Sequence, residues 1–276
     1  MAIKKILRNI WMSAKYRGST AEKISAFATL SKLQVKRGIN KKRNSKVKVD
    51  FLNYQFQGYD YRTIEHLFNE IFMSDEYYFE SATPEPLIID CGANIGMSIL
   101  YFKSLYPGSR IIAFEANPYA FDLLEENVRE NNLKDVELHN VALFDKETDI
   151  SFFIGDNIGT LMGSVKKGRS GESEMTVAAK RLSDYLKSFE HIDLIKIDVE
   201  GAEINILTDL LESSSLNKAN EYIIEYHHNM GSDNSMLSFF LKKFEEHGYN
   251  YNLRTNFIEI DTFQDILIHF YKVRNH

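Results

Sequence analysis

The sequence is short of the residues that mark specialised environments. Its 276 positions include one cysteine, Cys91, so no internal disulfide can form and a reducing compartment is expected. Four prolines and fourteen glycines are too few for a low-complexity or disordered chain. No stretch approaches the ~18 consecutive apolar residues of a membrane span. The N-terminus also lacks the unbroken apolar core and small-residue cleavage site of a secretory signal. A cytoplasmic location is expected, with peripheral attachment to the inner face of the membrane as its variant. What is present, 44% hydrophobic and 13% aromatic residues, suits one large α/β domain.

Charge is spread unevenly. Residues 1–48 carry fourteen Lys/Arg against Glu22 alone, a balance of +13, whereas the remainder carries 19 basic and 38 acidic residues, or −19. A basic extension, residues 1–49, is therefore set apart from a domain at residues 50–276. Within "MAIKKILRNIWMSAKYR", Ile3, Ile6, Leu7, Ile10, Trp11 and Ala14 recur as one helical stripe, with Lys4, Lys5, Arg8, Lys15 and Arg17 on or beside the other face. Such a helix over residues 1–17 can contact a membrane surface. The commoner use, and the one expected here, is packing of the stripe onto the domain while the lysines reach water. "KRGINKKRNSKVK" at residues 36–48 reads as an exposed basic linker. Nucleic-acid binding is disfavoured, because no aromatic residues interleave with that run and the body is acidic. Nothing in the sequence specifies an oligomer.

A helical pattern covers "DYRTIEHLFNEIF" from residue 60. After Pro86 strand-like runs at Leu87–Asp90, Arg110–Glu115, Val136–Val141, Leu194–Asp198 and Tyr222–Tyr226 alternate with helical segments after Gly96, at Pro118–Asn131 and at Glu203–Leu211. Near-continuous apolar strands separated by helices predict a mostly parallel, Rossmann-like sheet covered on both faces. "DILIHFYKV" predicts an antiparallel strand near the C-terminus, with "YNYNLRT" another strand. An inserted hairpin is predicted between Thr148 and Ala178, its strands near "ISFFI" and "MTVAA" and its mobile loop at "VKKGRSGESE".

The first strand runs into "LIIDCGANIGMSILYF". A dinucleotide fingerprint needs glycine at the middle position, where backbone meets pyrophosphate. Asn94 stands there instead, and Asp90 would repel a phosphate. A cationic ligand without phosphate, such as S-adenosylmethionine, fits better. Asp90 is then expected at its methionine end, with Gly92, Asn94 and Gly96 allowing close backbone approach; Cys91 reads as packing. Glu115, 25 residues on, can accept both ribose hydroxyls, with Ala116 beside it. Asn140, Val141 and Ala142 end the third strand next to the adenine position. Each is ordinary turn chemistry alone; together they mark the carboxyl ends where ligands bind in such sheets.

The fourth strand ends in three carboxylates, Asp198, Glu200 and Glu203, and the fifth in "IIEYHHN" with Glu225, His227 and His228. Glu203 opens a helix, and dipole stabilisation is its favoured role. Asp198, Glu225 and His227 are the candidate catalytic bases. Whether a divalent metal takes part is left open; Asp198, Glu200 and Glu225 would be its ligands.

"IIDCGANIGMSIL", "IIAFEANPYAFDLLEENVRENN", "VELHNVALFDKETDISFF", "LIKIDVEGAEINIL" and "IIEYHHN", in this order over residues 87–229, resemble the FkbM-like family of S-adenosylmethionine-dependent methyltransferases. "FNEIFMSDEYYF" before them is similar as well. The resemblance implies methyl transfer to a hydroxyl, with saccharides and polyketides as typical acceptors. A sugar of a surface glycan or lipid-linked saccharide is the expected acceptor, a polyketide-like small molecule or nucleic acid the alternative. A non-catalytic binding module is the competing class, as is a Rossmann dehydrogenase. Two departures stand out: "FEANP" for Phe-Glu-Pro-Asn-Pro, and Ser183 for the first acid of a Leu-Asp-Asp stretch, which would alter the acceptor if that position helps bind it.

Overall fold

The structure, a computed structural model, describes residues 2–40, 45–155, 163–165, 173–230, 236–255 and 262–273. Helices α1 (Ala2–Lys15) and α2 (Thr20–Ile39) precede a hairpin of β1 (Val47–Phe51) and β2 (Tyr54–Gly58). Next comes α3 (Tyr61–Leu67), which runs into a π-helical turn at Phe68–Met73. Strand and helix then alternate: β3 (Leu87–Cys91), α4 (Met97–Leu105), β4 (Arg110–Phe114), α5 (Pro118–Glu130) and β5 (Val136–His139). An inserted block follows, with β6 (Ala142–Phe144), β7 (Thr148–Ile154), β8 (Gly163–Ser164) and β9 (Ser173–Arg181). The chain ends through α6 (Leu182–Leu186), β10 (Ile192–Ile197), α7 (Glu203–Glu212), β11 (Ala219–His228), α8 (Leu237–Glu246), β12 (Asn250–Thr255) and β13 (Gln264–Tyr271).

Seven strands form the central sheet in the order β12-β13-β11-β10-β3-β4-β5. β11, β10, β3, β4 and β5 are parallel; β13 runs antiparallel to β11 and to β12, as the late apolar run predicted. The order reverses between β3 and β10, and this switch point fixes where a ligand crevice opens. One face buries Ile99 and Phe102 of α4, Leu123 and Leu124 of α5 and the N-terminal aromatics Phe56, Phe68 and Phe72. The other buries Leu207 and Leu210 of α7 and Phe240 and Phe244 of α8, with the Phe244 ring stacked on Phe270 at 3.8 Å. Each such side chain contributes about 1.5–3 kcal/mol on leaving water.

Three differences from the sequence reading have local causes. Residues 36–39, expected as linker, are the last turn of α2. A capping box at Ser19 and Glu22 starts that helix, and Ala26, Leu30 and Leu33 hold it in the core with Met12, Tyr16 and the aromatics of the domain. The insertion is a four-stranded sheet rather than a hairpin. β7 pairs antiparallel with β9 as expected, and β6 adds to β9 and β8 to β7. The loop expected at "VKKGRSGESE" falls mostly outside the described residues. Finally, Ser183 is not an acceptor residue. It is buried at the start of α6, where its hydroxyl and backbone N–H donate to Asp209 at 2.6 and 2.8 Å beside Arg181. An acid at 183 would set two carboxylates against each other.

Candidate functional site

The carboxyl ends of β3, β4 and β10 and the segment after β5 open onto one cleft of about 600 Å³, its mouth included. Of the residues expected to hold a cofactor, Gly92, Asn94, Glu115, Ala116, Val141 and Ala142 line it, together with Asp198 and Glu200. Leu143, Phe152 and Val199 add apolar wall.

Asp90, Gly96 and Asn140 lie elsewhere. The sheet register sets Asp90 beside Lys196 of the neighbouring strand, both side chains fully or almost fully buried. Asp90 accepts from the Ser98 hydroxyl at 2.5 Å and lies 3.2 Å from the Lys196 ammonium, so it braces the sheet behind the cleft instead of meeting a ligand. Gly96 is a packing position: a Cβ there would stand 2.8 Å from Leu124 of α5. Asn140 is exposed, and its amide donates to the carbonyls of Glu115 and Ala116, pinning the turn after β4. Gly92 keeps its role with a different partner. A Cβ at its φ of 86° would reach 1.8 Å from the Asp198 carbonyl, so the close approach is to the end of β10.

Glu115 is 9% exposed, and its two carboxylate oxygens accept from the backbone N–H groups of Asn94 and Asn117, each at 2.8 Å. Burial pushes its carboxyl up to about 7, against those two donors, which lower it. Lys196, unremarked in the sequence reading, donates to the Gly92 carbonyl at 2.6 Å and lies 3.6 Å from Asp198. Burial alone would lower its pKa; Asp90 and Asp198 outweigh that and raise it, so the ammonium is permanent. The signal was available: a lysine inside an otherwise apolar strand, "LIKID".

A second cluster sits where β10 and β11 end. The Tyr77 hydroxyl donates to Asp198 at 3.2 Å. His227, almost wholly buried, has Nδ1 2.6 Å from Glu203, while Nε2 faces Glu200 at 3.4 Å and Asp198 and Asp265 at 3.9 Å. Glu203 thus orients an imidazole, beyond the dipole role assigned to it. Burial opposes charge on His227, but Glu203, Glu200 and Asp198 prevail and raise it to about 10. It is an imidazolium at neutral pH and has no site left for a further proton. Glu225 is pushed well above its ordinary value by burial and by Asp198, which favours its protonated form. Of the three expected bases, only Asp198 is both on the cleft and placed to accept. For a cation, the ligand atoms of Asp198, Glu200 and His227 lie within 4.8 Å of one another, as do those of Glu225, His227 and Asp265. Among the described residues, His227 therefore takes the place expected of Glu225 in the first group.

A sequence model described as "Methyltransferase FkbM domain" matches residues 90–251, more than half of the chain. Methyltransferase 1 of Beauveria bassiana is 30% identical over 167 residues, 53% of this chain and 67% of that protein. The 2-O-methyltransferase NoeI of Sinorhizobium fredii is 31% identical over 140 residues, 45% of this chain and 57% of NoeI. Among solved structures, the methyltransferase FkbM of Methylobacillus flagellatus superposes with a TM-score of 0.50 at 14% identity. That match covers 96% of this chain and 58% of the other, a likeness of fold.

The brace behind the cleft makes a stability prediction. Lys196→Met strands Asp90 in the core without its counter-ion and should cost about 3–5 kcal/mol in urea denaturation. Adding Asp90→Asn should recover part of the loss; a single variant as stable as wild type would remove the ion pair from this role.

Proposed function

The chain belongs to the FkbM methyltransferase family, and from that premise we propose that it transfers the methyl group of S-adenosylmethionine to a hydroxyl oxygen. The observation that carries the reading is Asp198, a carboxylate on the cleft wall with a neutral Tyr77 hydroxyl and a permanent Lys196 cation on its far side. The residues fit the donor. Glu115, Asp198 and Glu200 supply negative charge, Val141, Ala142 and Phe152 an apolar wall, and Lys196 is committed to Gly92 and Asp90, leaving it unsuited to a phosphate. Glu115 would hold the ribose hydroxyls and Asn94 the adjoining turn.

When bound, the sulfonium supplies an electrophilic methyl carbon. The protein's part is to fix the acceptor oxygen in line with it, which is worth up to about 7–11 kcal/mol, and to take the hydroxyl proton as the oxygen–carbon bond forms. Asp198 is the acceptor of that proton. The surrounding carboxyls suit a polyhydroxylated acceptor. Burial and neighbouring carboxylates favour the protonated, hydrogen-donating form of Glu225 near the cleft, while Asp198 and Glu200 on its wall offer acceptor oxygens. A sugar hydroxyl, donor and acceptor at once, matches such a mixture, in keeping with NoeI being named a 2-O-methyltransferase. We take a sugar of a surface glycan or lipid-linked saccharide as the acceptor class, with a polyketide-like alcohol as the alternative. Comparing glycan masses from cells with and without the active protein tests it, one methylene per acceptor being the expected difference.

The grouping of Asp198, Glu200 and His227 favours a second reading, in which a divalent cation displaces the Nε2 proton of His227 and lowers the hydroxyl's pKa. Chelation decides between them. Turnover lost to EDTA and restored by magnesium or manganese assigns the cluster to a metal, and unchanged turnover leaves Asp198 as a metal-free base.

Two further outcomes are expected. Glu115 is ionised only above about pH 7, so affinity for the cationic donor should fall as pH drops from about 8 to about 6. Glu115→Gln should weaken binding and flatten that dependence; calorimetry across the range reads both. Asp198→Asn should lower kcat by about 10²–10⁴, a larger effect than its loss of donor affinity. Glu225→Gln, which mimics a carboxyl already protonated, should cost less than roughly tenfold. An equal loss in both would move the base to Glu225.

A further inference from the structure

Helix α1 is packed with its faces reversed. Asn9, Met12 and Ser13 are buried, as is Tyr16 just past its end. Asn9 exchanges amide hydrogen bonds with Gln34 of α2 at 2.9 and 3.2 Å, and the Ser13 hydroxyl turns back onto the Asn9 carbonyl. The apolar stripe points outward: Ile6, Leu7, Ile10 and Trp11 are 48%, 59%, 50% and 59% exposed. The expectation that this stripe would pack onto the domain is therefore overturned, and the cause is visible. α2 presents Gln34 and Ser31 to α1, so the amide side of α1 is the side that finds partners.

An exposed contiguous apolar face is a binding surface when a rim of defined chemistry surrounds it. Here the rim is cationic. At about 100° per residue, Lys4, Arg8 and Lys15 fall along one edge of the stripe. Lys4, Lys5, Arg8 and Lys15 are all exposed and form no ion pair with a described acidic residue. Lys15 instead lies 3.9 Å over the Trp11 ring. On the α2 side of the helix a shallow groove is lined by Lys5, Arg8, Gln34, Gly38 and the Arg37–Glu65 ion pair, so Arg37 is already committed and the rim cations are those along the stripe's edge. No helix of the described residues is long and apolar enough to cross a membrane.

We propose that α1 is an interfacial anchor that seats the enzyme on an anionic phospholipid surface. Ile6, Leu7, Ile10 and Trp11 enter the headgroup–acyl boundary, and Lys4, Arg8 and Lys15 along the edge meet the lipid phosphates. Charge selects this occupant over a second copy, since a twofold contact through α1 would set one cationic rim against another. The acidic body stays on the solvent side, repelled by the same lipid. The anchor is independent of which acceptor the cleft takes and of whether the cleft transfers methyl at all.

Trp11 is the chain's single tryptophan, so its fluorescence reports this surface alone. The full chain is titrated with vesicles of phosphatidylcholine, with and without phosphatidylglycerol, and followed by co-sedimentation and Trp11 emission. Binding with a blue shift is expected only with phosphatidylglycerol, and it should weaken as salt is raised. Leu7→Glu/Ile10→Glu should abolish sedimentation and leave donor affinity intact. Arg8→Glu/Lys15→Glu should weaken vesicle binding by roughly tenfold or more. Absence of binding to phosphatidylglycerol vesicles, or an unshifted Trp11, overturns the proposal. So does a concentration-dependent blue shift without vesicles accompanied by a dimer in sedimentation velocity, which hands the surface to a second copy.

Discussion

The cleft depends on one buried cation. Lys196 stands on the central strand of the sheet, 2% exposed, and its ammonium ties together three pieces of backbone that would otherwise be independent. It donates to the Gly92 carbonyl in the turn after β3, pairs with Asp90 of β3, and reaches Asp198 just past β10. Burying an ammonium is expensive unless it is paired and hydrogen-bonded, so this geometry is nearly obligatory once the lysine is in place. Gly92 completes the arrangement, since no side chain fits between its Cα and the Asp198 carbonyl. The switch point between β3 and β10 is thus held open by topology and held in shape by charge.

Crowded acidic groups set the protonation pattern at the far end of the site. Glu70, Glu76, Asp198, Glu200, Glu225 and Asp265 crowd one mouth, and carboxylates this close cannot all ionise. The crowding is relieved in three ways. Arg254 pairs with Glu76, the charge of His227 is favoured by its carboxylate neighbours, and Glu70 and Glu225 are shifted toward their protonated forms. A histidine at a strand end is the residue most often assigned as base, yet here Glu203, Glu200 and Asp198 favour its protonated form, which suits it poorly to accept a proton. The deciding quantity is the balance of burial against neighbouring charge, which no single residue carries.

Two segments outside the alternating core shape what the core can do. The inserted sheet closes the cleft with Phe152 and Val165, and Ser164 of β8 donates to the Glu200 carbonyl at 2.6 Å, fixing the turn that carries Glu200. The N-terminal helices share the hydrophobic core of the domain through Met12, Tyr16, Leu30 and Leu33 while presenting apolar side chains to the outside. The cleft and the exposed apolar face of α1 are thereby separate surfaces of the molecule.

The sequence by itself determined the alternation of strand and helix, the antiparallel strand near the C-terminus and most of the residues that line the cleft. Those features follow from local period and from residues within a few positions of a strand end, as with Asn94, Glu115 and Val141. Only the tertiary structure decided what Asp90, Asn140, Glu203 and Lys196 do, because each is defined by a partner on another strand or helix: Lys196, Glu115, His227 and Gly92. Register between strands β3 and β10 turned Asp90 from a ligand contact into a brace. The contact of α1 with α2 likewise turned the apolar stripe outward. A stripe specifies that a face will be buried against something, and the identity of that something lies in the neighbour, whose Gln34 claimed the opposite face.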